Sequence, residues 1–127
     1  MADNTKILLV DDDEFLLDMY ALKFKEAGFD IDVATSGEDA LNKLQKGSYG
    51  IMLLDIVMPI LDGFEVLAKI KRDNIASSMP VIVLSNLGQK EDIDRGIALG
   101  AKDYVIKAHF TPSEVVEKVK SVLASSH

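Results

Sequence analysis

The sequence predicts an α/β fold, a doubly wound domain whose five-stranded parallel sheet lies between helices, and three observations carry that reading. Four short apolar runs recur without alternation: Ile7-Leu8-Leu9-Val10, Ile51-Met52-Leu53-Leu54, Val81-Ile82-Val83-Leu84 and Tyr104-Val105-Ile106. Strands buried on both faces read this way, and parallel sheets covered on both sides contain them. Segments with helical apolar spacing separate the runs, and connections of that length favour right-handed crossovers. Finally, 127 residues that are 48% hydrophobic and 28% charged match a single globular domain with a real core.

Each element follows in order. The first strand is expected at about residues 6–10. A helix then runs from Glu14 to Ala27, with Phe15, Leu16, Met19, Leu22 and Phe24 as its apolar stripe and Gly28 as its stop. Asp30 to Ala34 ("DIDVA") alternates and reads as an edge strand. Ser36 caps a second helix with an Ala40, Leu41, Leu44 stripe. The third strand covers about 51–54. Asp62-Gly63 supplies turn and cap chemistry for a third helix, marked by Phe64, Leu67, Ala68 and Ile70 and ending near Asp73.

The fourth strand lies at about 81–84, before a helix from about Lys90 to Leu99. Gly88 stands before that helix and Gly96 inside it. Each lowers helix stability by roughly 1 kcal/mol relative to alanine, so this helix is expected to be the most deformable. The fifth strand covers about 104–106. Thr111 as N-cap, Pro112 at the first helical position, Glu114 closing a capping box and Phe110 stapled on Val115 start a fifth helix that reaches about Ala124. Ser125-Ser126-His127 is left as a tail. With no repeat or linker, residues 1–127 are expected to form one domain.

Composition narrows the function. Lys and Arg total 14 against 21 Asp and Glu, a net charge of −7. Phosphate neutralisation needs clustered cations, so direct nucleic-acid binding by this domain is not expected; a cation or a basic protein surface suits it better. Without cysteine, disulfides and thiolate metal sites are impossible. Met1-Ala2-Asp3-Asn4 does not open a basic-then-apolar leader, and no apolar run approaches the ~20 residues of a membrane span. The expected location is the cytoplasm.

The polar residues that end the apolar runs carry the chemistry: Asp11 and Asp12 after Val10, Asp55 after Leu54, Ser85 after Leu84 and Lys107 after Ile106. The carboxyl ends of parallel strands share one edge of the sheet, where open α/β sheets bind ligands. Two carboxylates ~4 Å apart repel by about 4 kcal/mol at an effective dielectric near 20, and a divalent cation offsets this. Oxygen ligands without His or Cys favour Mg²⁺, which leaves coordination positions for a phosphate. A remaining carboxylate can then attack phosphorus, while Lys107 and Ser85 bind the other phosphoryl oxygens. Ser85 or Lys107 alone would be unremarkable; their joint placement is the signal. Asp13 is assigned to the cap of the first helix. His109 and His127 are expected to be exposed, and the methionines to fill the core.

"ILLVDDDEF", "IMLLDIVMPILDGFEVL", "PVIVLSN" and "GAKDYVIKAHFTPSEVVEKV" resemble, in order and spacing, the receiver domain of two-component response regulators, over nearly the whole chain. The resemblance implies a flavodoxin-like strand order 2-1-3-4-5 with five helices. It implies Asp55 as phosphoacceptor, Asp12 as a direct Mg²⁺ ligand, Asp11 as a ligand through water and the backbone carbonyl of Val57 completing the metal site. Ser85 resembles the family's switch hydroxyl, Tyr104 its switch aromatic and Lys107 its phosphate-binding lysine. The implied function is a switch phosphorylated by a histidine kinase or histidine phosphotransfer protein, acting on a downstream protein or an attached effector domain through the surface of the fourth helix, fifth strand and fifth helix. It is not expected to be a turnover enzyme; it is expected to be a monomer or weak dimer, either free-standing or part of a longer regulator.

Three local features qualify this pattern. Ala108 follows Lys107 where the family usually has proline after a cis bond, and the Lys107-Ala108 bond is expected to be cis although a cis non-proline bond costs ~3 kcal/mol. Val57 and Leu87 cannot hydrogen-bond a hydrolytic water, so a long-lived phosphoryl group is expected. Phe15, Leu16 and Leu17 exceed what one helical face can bury, a surface suited to docking the donor. Two other functions remain open. One is a phosphatase of the haloacid dehalogenase type, whose pattern would need a threonine where Phe15 stands. The other is a phosphate-independent adaptor, favoured if Ala108 marks decay of the site. Nucleotide hydrolysis is disfavoured, because no Gly-rich loop ending in Gly-Lys-Ser/Thr exists.

Overall fold

A computed structural model describes residues 5–125. Strands and helices alternate: β1 (Lys6–Val10), α1 (Glu14–Glu26), β2 (Asp30–Ala34), α2 (Gly37–Lys46), β3 (Ile51–Leu54), α3 (Gly63–Arg72), β4 (Val81–Ser85), α4 (Lys90–Ala98), β5 (Asp103–Ile106) and α5 (Pro112–Ser125). The five strands pair in parallel in the order β2-β1-β3-β4-β5. The anticipated tail therefore shortens: Ser125 ends α5, and Ser126 and His127 lie outside the described residues.

The continuous apolar runs have a two-sided cause. Successive strand residues point to opposite faces. Ile7 and Leu9, Ile51 and Leu53, Ile82 and Leu84, and Val105 pack with Leu17, Tyr20 and Phe24 of α1 and Val115, Val116, Val119 and Val122 of α5. Their neighbours Leu8 and Val10, Met52 and Leu54, and Val81 and Val83 pack with Ala40 and Leu44 of α2 and Phe64, Val66 and Leu67 of α3. Each such side chain contributes about 1.5–3 kcal/mol by leaving water, so two cores on one sheet fix its register. β2 has one sheet neighbour and is only part-buried, as an edge strand with alternating polarity should be.

The caps form where sequence places them. Asp13 accepts from the backbone of Phe15 and Leu16, Ser36 from Asp39, and Asp62 forms a capping box with Glu65. Thr111 and Glu114 exchange hydrogen bonds at the start of α5. The stripe of α1 differs from expectation: Leu17, Tyr20 and Phe24 are its buried residues, while Phe15 and Leu22 are 77% and 60% exposed. Apolar residues surround this helix on too many sides for sequence periodicity to single out its inner face. In α3, likewise, Val66 is buried and Ala68 exposed.

α4 is the least embedded helix. Its only fully buried residue is Gly96, against the Tyr104 ring of β5; a Cβ there would stand 3.0 Å from that ring. Arg95 lies over the Phe64 ring at 4.3 Å, and Lys71 of α3 donates to the Ala98 carbonyl at 3.2 Å. These surface contacts replace the apolar burial that secures the other helices, which fits a deformable element. Among the described residues, no helix is long and apolar enough to cross a membrane.

Candidate functional site

Val10 lies level with Leu54 in the β1–β3 pairing, so the next residues, Asp11 and Asp55, emerge side by side where the strand order reverses. The Asp55 N–H donates to the Val10 carbonyl at 3.0 Å, extending the ladder by one bond. Asp11, Asp12 and Asp55 each offer a carboxylate oxygen within 4.8 Å of the others'. Asp11 and Asp55 are only 4% and 6% exposed, and Asp12 faces outward. One residue beyond β5, the Lys107 ammonium donates to Asp11 Oδ2 at 2.6 Å and reaches Asp55 Oδ2 at 3.4 Å. The buried Ser85 hydroxyl at the end of β4 hydrogen-bonds Asp55 and accepts the Leu87 N–H at 3.3 Å.

The remaining lone pairs are partly satisfied. Asp11 Oδ1 accepts from the Asp13 N–H at 2.9 Å, and Asp55 Oδ1 from the Ile56 N–H at 2.8 Å. These bonds do not remove the charge imbalance of three carboxylates on one ammonium. Burial pushes the Asp55 carboxyl above its usual range and the Asp11 charge pushes further, outweighing Lys107, Ser85 and the Ile56 amide. Lys107 is raised as well: burial opposes its charge, but the Asp11 hydrogen bond and both carboxylates prevail. The two shifts agree once distance is considered, because the ammonium stands closer to Asp11 and neutralises Asp55 incompletely.

This donor set fits Mg²⁺. It is all oxygen, and an octahedral ion with bonds of ~2.1 Å separates its ligand oxygens by about 3–4.2 Å, a small contraction of the cluster. Val57, whose carbonyl was expected to contribute, stands two residues after Asp55 and is 63% exposed. Val57 and Leu87 line one groove of about 370 Å³ together with Ile56, Met58, Phe64 and Arg95. Tyr104 is half-buried, its hydroxyl donates to the Leu87 carbonyl, and its phenol is pushed up to about 12, first by burial and then by the Asp92 and Asp55 charges. His109 is exposed, and His127 lies outside the described residues.

One expectation is overturned: Lys107-Ala108 is trans, as is every described peptide bond. Lys107–His109 form a 3₁₀ turn from which the ammonium reaches both acids, so the site does not demand the costlier isomer. Sequence reading also missed why Gly63 is glycine. A Cβ there would collide with the Asp55 carbonyl, so Gly63 lets α3 start against the end of β3. Only the close approach reveals this, since Asp-Gly already suffices as a turn signal.

A family model described as the response regulator receiver domain matches residues 7–120. The chain belongs to the response regulator receiver domain family. The receiver domain is 40% identical over 124 residues to the transcriptional regulatory protein CpxR homolog of Haemophilus influenzae, covering 96% of this chain and 52% of that protein. It is 34% identical to the alkaline phosphatase synthesis transcriptional regulatory protein PhoP of Bacillus subtilis, covering 97% of this chain and 50% of that one. The chain thus spans about half the length of the curated relatives it matches. Among solved structures, a Francisella response regulator receiver domain superposes with TM-score 0.89 at 33% identity, covering 98% of this chain and all of the other (100%). The chemotaxis protein CheY4 of Vibrio cholerae superposes with TM-score 0.86 at 27% identity, covering 93% of this chain and 98% of the other.

Proposed function

We propose that this receiver domain is a phosphorylation-activated signalling switch with Asp55 as its phosphoacceptor. The observation that carries the reading is the group of Asp11, Asp12 and Asp55 oxygens gathered beside Lys107 at the carboxyl edge of the sheet. Asp11, Asp12, Asp55 and the Val57 carbonyl would hold Mg²⁺. When bound, the ion supplies positive charge that screens the carboxylates and the phosphoryl oxygens.

An Asp55 carboxylate oxygen attacks the phosphorus of a phosphohistidine, the bond from phosphorus to imidazole nitrogen breaks, and the imidazole keeps the electron pair and takes a proton. Lys107 leaves Asp11 to pair with one phosphoryl oxygen, and the Ser85 hydroxyl donates to another. Ser85 holds the Leu87 N–H and Tyr104 the Leu87 carbonyl, so moving Ser85 changes the loop that opens α4. Both residues thereby act as the switch, and loosely embedded α4 is the element whose equilibrium shifts.

The donor is a histidine kinase or histidine phosphotransfer protein, and the output is a downstream protein or an attached effector domain. The domain does not turn over an external substrate; it loses its own phosphoryl group slowly, because Val57 and Leu87 cannot position a water. Against the adaptor alternative, Lys107 reaches both acids despite Ala108; failure to bind Mg²⁺ would favour it. Intact mass after incubation with acetyl phosphate and Mg²⁺ tests the proposal. Wild type should gain one phosphoryl group and Asp55→Asn none; equal gain by both would refute it.

A further inference from the structure

Three consecutive residues of the β4–α4 loop are each tied to a different part of the site: Ser85 to Asp55, Asn86 to Ala108 and Leu87 to Tyr104. The switch reading gives Asn86 no task. Its Oδ1 accepts the Ala108 N–H at 3.0 Å. That N–H belongs to the peptide unit joining Lys107 to Ala108, so the bond acts on the backbone of the lysine itself. The Lys107 carbonyl, on the same peptide unit, accepts from the Phe110 N–H at 3.3 Å. The β4–β5 pairing ends with Ser85 level with Ile106, so no ladder bond fixes the two loops beyond that point. Asn86 supplies that fixation one residue further on.

We propose that Asn86 is a positioning residue that clasps the Ser85 loop to the Lys107 loop and so sets the spacing between the hydroxyl and the ammonium that receive phosphoryl oxygens. The inference rests on the phosphoryl-transfer reading above. Asn86 and Ala108 are both exposed residues, so water can replace the bond at little cost to the fold, and its value lies in geometry. Small displacements of groups that bind a transferred phosphoryl group lower the rate of transfer.

The test measures phosphoryl uptake from acetyl phosphate at saturating Mg²⁺, Mg²⁺ affinity, and hydrogen exchange at the Ala108 amide. Asn86→Ala should lower the saturating uptake rate about three- to tenfold, leave Mg²⁺ affinity and the melting midpoint unchanged, and speed exchange at Ala108. Asn86→Asp keeps the acceptor oxygen and should restore both uptake and protection in about 1 M salt, where the Debye length is ~3 Å and its added charge is screened. Unchanged uptake in Asn86→Ala, a loss shared with Mg²⁺ affinity, or no rescue by Asn86→Asp would overturn the clasp. If wild type takes up no phosphoryl group, the switch reading fails instead; Ala108 exchange, fast in Asn86→Ala and slow in Asn86→Asp, then still reports whether the bond exists.

Discussion

Two groupings of aspartate, lysine and hydroxyl lie on the same sheet, one at its flank and one at its carboxyl edge. At the flank, Asp32 of β2 accepts from the Tyr49 hydroxyl at 2.6 Å, the Lys43 ammonium at 3.2 Å and the Val33 N–H at 2.9 Å. One carboxylate meets one ammonium. Burial alone would raise the Asp32 carboxyl, but the bonds from Tyr49 and Lys43 together with the Lys43 charge bring it below its ordinary value. At the edge, Asp55 shares one ammonium with Asp11 and Asp12 nearby, and its carboxyl is raised. The same residue types thus make a satisfied staple in one place and an acceptor left short of positive charge in the other. A binding site is recognisable here by what its charges still lack.

The largest contrast should come from the two lysines. Lys107→Ala should slow phosphoryl uptake by about 100-fold, the usual scale for removing one group that stabilises transition-state charge. Lys43→Ala should leave uptake within about twofold and lower only stability, as measured by uptake time courses beside urea unfolding. Comparable losses of uptake in both would erase the distinction. A smaller effect is expected at Val57, two residues after Asp55. Val57→Asn places a hydrogen-bonding group where a water can be held, and should speed loss of the phosphoryl label about tenfold; an unchanged half-life would remove Val57 from the account of slow hydrolysis.

The smallest effect is the pH dependence of the flank staple. Because folding lowers the Asp32 pKa from its ordinary 3.8, the unfolded chain binds that proton first. The stabilisation is present above about pH 4 and is lost as pH falls through the lowered value. Tyr49 acts at the alkaline end: burial first, then its bond to Asp32, pushes the phenol up from 10.0 to about 12, so its contribution fades between those values as pH rises. Urea midpoints of wild type and Asp32→Asn should differ at neutral pH and converge on acidification.

Much of this was legible in the sequence, for identifiable reasons. Unbroken apolar strands show burial on both faces, and the polar residues that end them mark one edge, so the sequence alone brings Asp11, Asp55, Ser85 and Lys107 together. Caps at Ser36, Asp62 and Thr111 were equally plain, because they depend on neighbours within four residues. What depended on contacts distant in sequence was not. The inner face of α1 is set by β1, β2 and α5 rather than by its own periodicity. Gly63 is constrained by the Asp55 carbonyl. The trans Lys107-Ala108 bond accompanies a donor that Asn86, 22 positions earlier, accepts.

The contrast between a satisfied and an unsatisfied aspartate is tested most directly by thermal unfolding at neutral pH without divalent ions, comparing Asp55→Asn and Asp32→Asn with wild type. The folded-state pKa of Asp55 lies above its unfolded value, so its ionised carboxylate opposes folding at that pH. Asp55→Asn should therefore raise the melting midpoint by several degrees, on a scale of ~3–6 °C per kcal/mol for a chain of this size, and Asp32→Asn should lower it. A fall in both variants would contradict the account.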